Sequence, residues 1–152
     1  LHGLDFLQKL DHVIAKLEGT ILSEGDIDLI QGKEKRVLYN SPAVIDLFKG
    51  FRVDTVCLAN NHIFDYGNSL GYTKSILKEA GISCFGAGED LSEAGQPHLI
   101  QAGGMAVKVF GFGWDVIGCQ YAAGNRPGVN PLEPAHCLRT IRELRKKTPN
   151  PG

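Results

Sequence analysis

Val53-Asp54-Thr55-Val56-Cys57-Leu58-Ala59-Asn60-Asn61-His62-Ile63-Phe64-Asp65-Tyr66-Gly67, residues 53–67, holds the reading that decides the fold. Val53–Ala59 is a nearly continuous apolar run, as expected of a strand buried on both faces of a parallel sheet. It ends abruptly in a polar loop, Asn60–Asn68. Upstream, Ser41-Pro42 places an N-cap and a proline at the start of a helix whose stripe is Val44, Ile45 and Phe48 and whose end is Gly50. Downstream, Ser69 to Ala80 predicts a second helix with Ile76, Leu77 and Ala80 inward. Gly81 stops it, and Ile82–Phe85 is the next strand. Helix, strand, helix, strand at this spacing implies β-α-β units and therefore an α/β fold on a mainly parallel sheet.

Farther out the pattern is weaker. Leu4–Leu10 predicts a helix and His12–Leu17 a further buried strand, while the polar segment Ser23–Lys35 lacks hydrophobic periodicity and reads as a surface excursion. Pro97–Gln101 and Met105–Phe112, joined through Ala102-Gly103-Gly104, predict an antiparallel hairpin with a glycine turn. Pro127–Pro134 reads as a loop. Pro134 then opens a helix to about Lys147, with Leu138, Ile141 and Leu144 on one face and cations toward its C-terminus. No internal repeat or low-complexity segment interrupts the chain, which is read as one domain over residues 1–152.

The composition narrows the partners. With 152 residues, 43% hydrophobic and 22% charged, the chain can bury a core. A formal net charge of −1 offers no general field for a polyanion, and Arg142, Arg145, Lys146 and Lys147 are confined to one segment, so nucleic acid is not expected. Thr55–Ala59 and Met105–Phe112 are far shorter than the roughly 20 apolar residues of a membrane-spanning helix. Cys57, Cys84, Cys119 and Cys137 form no CxxC pair and read as buried thiols rather than a zinc site.

Ligands of open parallel sheets gather beyond the carboxyl ends of the strands. Two segments fall there. In the first, Asn61 offers a hard oxygen donor for a divalent metal, His62 a proton for a leaving oxygen, and Asp65 a carboxylate to orient the imidazole. A purely structural reading, with Asn60 and Asn61 capping the turn, His62 on the surface and Asp65 bonding the backbone, stands level with it on the residues alone. The second is Lys16-Leu17-Glu18-Gly19. Residues two apart share a face of a strand, so Lys16 and Glu18 point together; an exposed ion pair is the simpler reading of them. Gly86-Ala87-Gly88 is read as a turn, since a lone G-x-G seldom marks a phosphate site. His12, His98 and His136 lack partners at ligand spacing.

The run Leu58-Ala59-Asn60-Asn61-His62 with Asp65-Tyr66-Gly67, Gly71, Thr73, Leu77, Ala80-Gly81-Ile82, Gly86-Ala87-Gly88, Glu93-Ala94 and Pro97 resembles the CapA/PgsA-like family of capsule (poly-γ-glutamate) synthesis proteins. Lys16-Leu17-Glu18-Gly19 is similar to that family's Asn-Leu-Glu-Gly segment. The resemblance implies a calcineurin-like metallophosphoesterase fold, a layered α/β sandwich incomplete in this chain, with a binuclear metal site. It implies Asn61 and Glu18 as metal ligands, His62 as acid or transition-state donor and Asp65 as its support, with Lys16 and Asn60 as candidate substrate contacts.

The metals implied are divalent: manganese, zinc or iron. The substrate class would be a phosphoester or an anionic polymer, the partners other capsule-synthesis subunits, and the place the cell envelope if the parent carries an anchor. Lys16 departs from the family's asparagine, and its ammonium would repel a dication unless it pairs with Glu18 or meets a substrate phosphate. The opening Gly-Asp motif of the family is not found upstream, and its later histidine motifs would follow Gly152. Two other readings stay open: a noncatalytic binding or assembly component of an envelope polymer complex, and a degenerate copy in which Lys16 reports lost metal binding.

Overall fold

The computed structural model describes residues 4–31, 37–67 and 69–147. In chain order the elements are α1 (Leu4–Leu7), β1 (Ile14–Lys16), β2 (Thr20–Ile21), α2 (Glu24–Ile30), β3 (Tyr39–Asn40), α3 (Val44–Gly50), β4 (Thr55–Cys57) and α4 (Leu70–Glu79). They continue with β5 (Ser83–Phe85), β6 (Ala87–Gly88), α5 (Leu91–Ala94), β7 (His98–Ala102), β8 (Met105–Val109), β9 (Gly128–Val129) and α6 (Pro134–Lys147). The main sheet is three-stranded and parallel in the order β1-β4-β5. The expected fold class, α/β with a mainly parallel sheet, is the one found.

The decisive stretch lies at the centre of that sheet. Val56 and Leu58 are fully buried, and α3 and α4 bring Ile45, Phe48, Leu70 and Leu77 into the same core. Both helices end in one motif. After α4, Gly81 takes a left-handed φ of 75°, with its N–H bonded to the Lys78 carbonyl and that of Ile82 to Leu77. After α3, Arg52 takes the same role at φ 58°, with Val53 bonded back to Phe48. Gly50, expected to close α3, is instead its last helical residue, and Ser41-Pro42 forms a turn ahead of it.

Other expectations change. Among the described residues β1 is an edge strand with Ile14 and Lys16 exposed, so His12–Leu17 is not the buried strand expected; Val13 and Ala15 pack on the core half-buried, and Leu17 enters it. Within Ser23–Lys35 a helix forms over Glu24–Ile30, because Ser23 caps it by accepting from the Asp26 N–H. Residues 32–35 of that segment lie outside the described residues, as does residue 68 of the loop 60–68.

The hairpin is as expected: Ala102 pairs with Met105 across Gly103 and Gly104, both at positive φ. The Pro127–Pro134 segment contains β9, which pairs antiparallel with β6. Glycines let neighbouring backbone close onto both strands: a Cβ on Gly88 would lie 2.5 Å from the Ala94 nitrogen of α5, and one on Gly128 closer still to the Ala122 nitrogen. α6 has the expected bounds, but its stripe is not inward; Leu138 and Ile141 are about half exposed, at 52% and 46%.

Candidate functional site

The loop after β4 is built from the inside outward. At its base Asn60 is 1% exposed, and its amide is fully engaged. The side-chain oxygen accepts from the Gly19 and His62 N–H groups at 3.1 and 2.9 Å. The side-chain nitrogen donates to the Leu17 and Leu58 carbonyls at 2.8 and 3.2 Å. One buried amide thus ties the end of β1 to the end of β4. The placement of Asn60 departs from a substrate-contact role: its polar atoms are spent on backbone, and the geometry gives it a fastening one.

Next to the Asn60 clamp lies a second buried polar cluster. The Thr20 hydroxyl lies 2.8 Å from those of both Ser69 and Thr73, and the Ile21 N–H donates to Thr73 at 2.9 Å. All three hydroxyl residues are buried, and the bonds join β2 to the start of α4. Buried hydroxyls need such partners. Ser69, which the sequence marks as a helix start, makes no cap bond and serves this cluster instead.

Beyond Asn60 the chain turns outward. His62 Nδ1 lies 2.8 Å from Asp65 Oδ2, and the same carboxylate oxygen accepts from the Leu38 N–H at 3.1 Å. His62 Nε2 lies 3.0 Å from the Asn61 side-chain nitrogen. With an ionised Asp65, Nδ1 carries the proton, leaving Nε2 as an acceptor toward the Asn61 amide. The His62 side chain is 38% exposed and that of Asp65 22%. The imidazole is therefore fixed in orientation yet reachable from solvent. Tyr66 anchors the far side of the loop, donating to Asp26 of α2 at 3.0 Å. Ser23 and then Tyr66 hold the Asp26 carboxyl below its ordinary range, and Asp26 in return raises the Tyr66 phenol. Tyr66 and Leu38 were missed as supports; the acidic residue three positions after Ser23 was the available signal for Asp26's position.

At the end of β1, Lys16 Nζ and Glu18 Oε2 are 2.7 Å apart, with side chains 55% and 41% exposed. Strand periodicity had predicted that they share a face, and they do. So exposed a pair is worth at most about 1 kcal/mol. The Glu18 carboxylate and the Asn61 amide oxygen suit the hard-donor chemistry of a divalent cation. Among the described residues no three His, Cys, Asp or Glu side chains gather as a metal shell would require, so the donors here amount to part of a shell. The four cysteines are free thiols; Cys119 is buried and the others half-buried, and burial pushes the Cys57, Cys84 and Cys119 thiols up. Among the described residues no helix is long and apolar enough to cross a membrane.

A parallel α/β sheet whose central strand delivers an oriented His-Asp pair to its carboxyl end defines the class. The chain belongs to the family of bacterial capsule synthesis proteins PGA_cap, whose model matches residues 2–150. Two proteins described as probable polyglutamine synthesis accessory proteins, from Mycobacterium tuberculosis strains CDC 1551 / Oshkosh and ATCC 25618 / H37Rv, are each 35% identical to it over 95 residues. That match covers 61% of this chain and 24% of each relative.

Proposed function

We propose that this chain supplies one wall of a metal-dependent phosphoesterase site in a protein of poly-γ-glutamate or capsule synthesis. The observation that carries the reading is the His62–Asp65 pair, 2.8 Å apart and open to solvent at the carboxyl end of β4. Asp65, itself held by the Leu38 N–H, fixes the ring with Nε2 against the Asn61 side chain at the exposed edge of the loop. In the protonated ring Nε2–H is the donor to a leaving oxygen once the Asn61 side chain moves off it, which frees the Asn61 carbonyl oxygen for a metal. Asn61 and Glu18 would hold a divalent manganese, zinc or iron ion, Glu18 once it leaves Lys16. When bound, such an ion supplies Lewis acidity and an activated water. The Lys16 ammonium, released from Glu18, would meet a substrate phosphate or the carboxylates of an anionic polymer.

The Lys16–Glu18 pair also favours a second reading, since it occupies the carboxylate that a metal would need. In that reading the chain is a noncatalytic binding or assembly component that works with other capsule-synthesis subunits. One experiment separates the two: manganese and zinc calorimetry followed by a phosphodiester assay on the full-length parent, with His62→Ala and Asp65→Asn beside it. Metal binding with turnover that falls about 100-fold or more in His62→Ala supports the phosphoesterase, a loss within the range for general acid catalysis. Binding of neither metal and no turnover by the parent overturns it and leaves the assembly role.

A further inference from the structure

A groove of about 560 Å³ runs beside β5, lined by Lys74, Lys78, Ser83, Cys84 and His98 among others. It uses none of the residues of the 60–65 loop. Among the described residues β5 pairs with β4 alone, so its other edge has no strand beside it. The register fixes what that edge presents. The Ser83 N–H donates to the Asp54 carbonyl and the Phe85 carbonyl accepts from Leu58, so both residues turn their backbone groups toward β4. Cys84, between them, turns its N–H and C=O the other way, toward the groove.

The walls add charge. Lys74 and Lys78 are one turn apart on α4, about 6 Å along the helix. Alternate residues of an extended chain repeat at about 6.6–6.8 Å on one face. Lys74 is paired with Glu93, and Lys78 stands in the last turn of α4. On the opposite wall His98 stacks on Phe85 at 5.8 Å and is held by the Thr55 hydroxyl at 2.8 Å. We propose that this edge takes up an extended acidic peptide segment of a partner protein, which adds as a strand beside β5 with carboxylates at alternate positions facing Lys74 and Lys78. Main-chain bonds to Cys84 would give affinity and the lysine spacing would select the charge pattern, as in strand-addition modules. The inference is independent of the phosphoesterase reading.

The test is fluorescence anisotropy of the chain with a labelled peptide carrying glutamate at every second position, beside its glutamine counterpart, at low and high salt. The glutamate peptide should bind about tenfold more tightly at low salt and lose that advantage at high salt. Lys78→Glu should abolish the preference. Cys84→Pro removes an outward N–H, which an edge strand tolerates, and should weaken both peptides while circular dichroism stays unchanged. If that variant does not fold, amide shifts at Ser83–Phe85 on titrating the native chain with peptide carry the same information. Equal binding of both peptides, or no binding, overturns the proposal. So does equal affinity for poly-γ-glutamate of matched charge together with no effect at residues 83–85, because charge alone would then explain the groove.

Discussion

Asn60 and His62 are two residues apart in one loop and do opposite things. Asn60 is buried, with four backbone partners and no access to solvent. His62 is bonded to one carboxylate and one amide and is 38% exposed. The first sets where the loop begins; the second uses the position so gained. A polar residue type after a buried strand does not reveal which of these roles it has, since both ask for a side chain that hydrogen-bonds well.

The comparison can be broken at its strong end first. Asn60→Leu strands the Gly19 and His62 N–H groups and the Leu17 carbonyl, each costing about 1–3 kcal/mol if it finds no water. Urea denaturation should show a net loss of about 3 kcal/mol, against less than about 0.5 kcal/mol for His62→Ala, whose surface position sits apart from any such network. Equal losses would erase the distinction. Thr73→Val, nearly isosteric, should cost about 1–2 kcal/mol by leaving the Ile21 N–H and the Thr20 hydroxyl short of a partner.

Acid should sharpen a third case. His98 and His12 share the Thr55 hydroxyl, both at 2.8 Å, and burial, then the neighbouring His12, hold the His98 imidazole below its usual 6.5. Asp54 lies 4.0 Å from His12 on the other side, and Lys74, Lys78 and Cys84 line the groove that His98 borders. With the folded-state value lowered, the unfolded chain binds the extra proton first. Stability is thus full above about pH 6.5 and declines as the pH falls below it. Chemical denaturation between pH 7 and 5 should show that decline, and His98→Asn should flatten it; an unchanged slope would remove His98 as its source. The smallest effect is expected at the exposed pair, where Lys16→Asn should alter stability by no more than about 0.5 kcal/mol. If Glu18 faces a metal, the same change should tighten manganese binding in the full-length parent.

The sequence was readable where one local rule decided the outcome. β4 followed from a nearly continuous apolar run, the hairpin from two adjacent glycines, and α6 from proline at its first position. It was unreadable where distant partners decided. β9 exists through its pairing with β6, about forty positions away, and neither segment has strand-like patterning of its own. α2 has little periodicity, with only Ile27 fully buried, and owes its start to the Ser23 cap. The apolar residues of His12–Leu17 predict a buried strand, yet among the described residues β1 is an edge. Within the site, the pairing of Lys16 with Glu18 followed from alternation alone. The confinement of Asn60 did not, because its partners Leu17 and Gly19 are more than forty positions away.

Those long-range fasteners bear on how quickly the chain can become itself. The bonds from Asn60 to residues 17 and 19, and from Thr73 to Ile21, span 41 to 52 positions, and β1 reaches β4 across a comparable gap. None can form until a loop of that length has closed, and closure yields nothing until the polar groups meet. The segment from α3 through β5 depends on shorter separations and is the natural nucleus. Residues 17–22 would dock onto it late, so the framework beneath His62 would be among the last parts of the molecule to assemble.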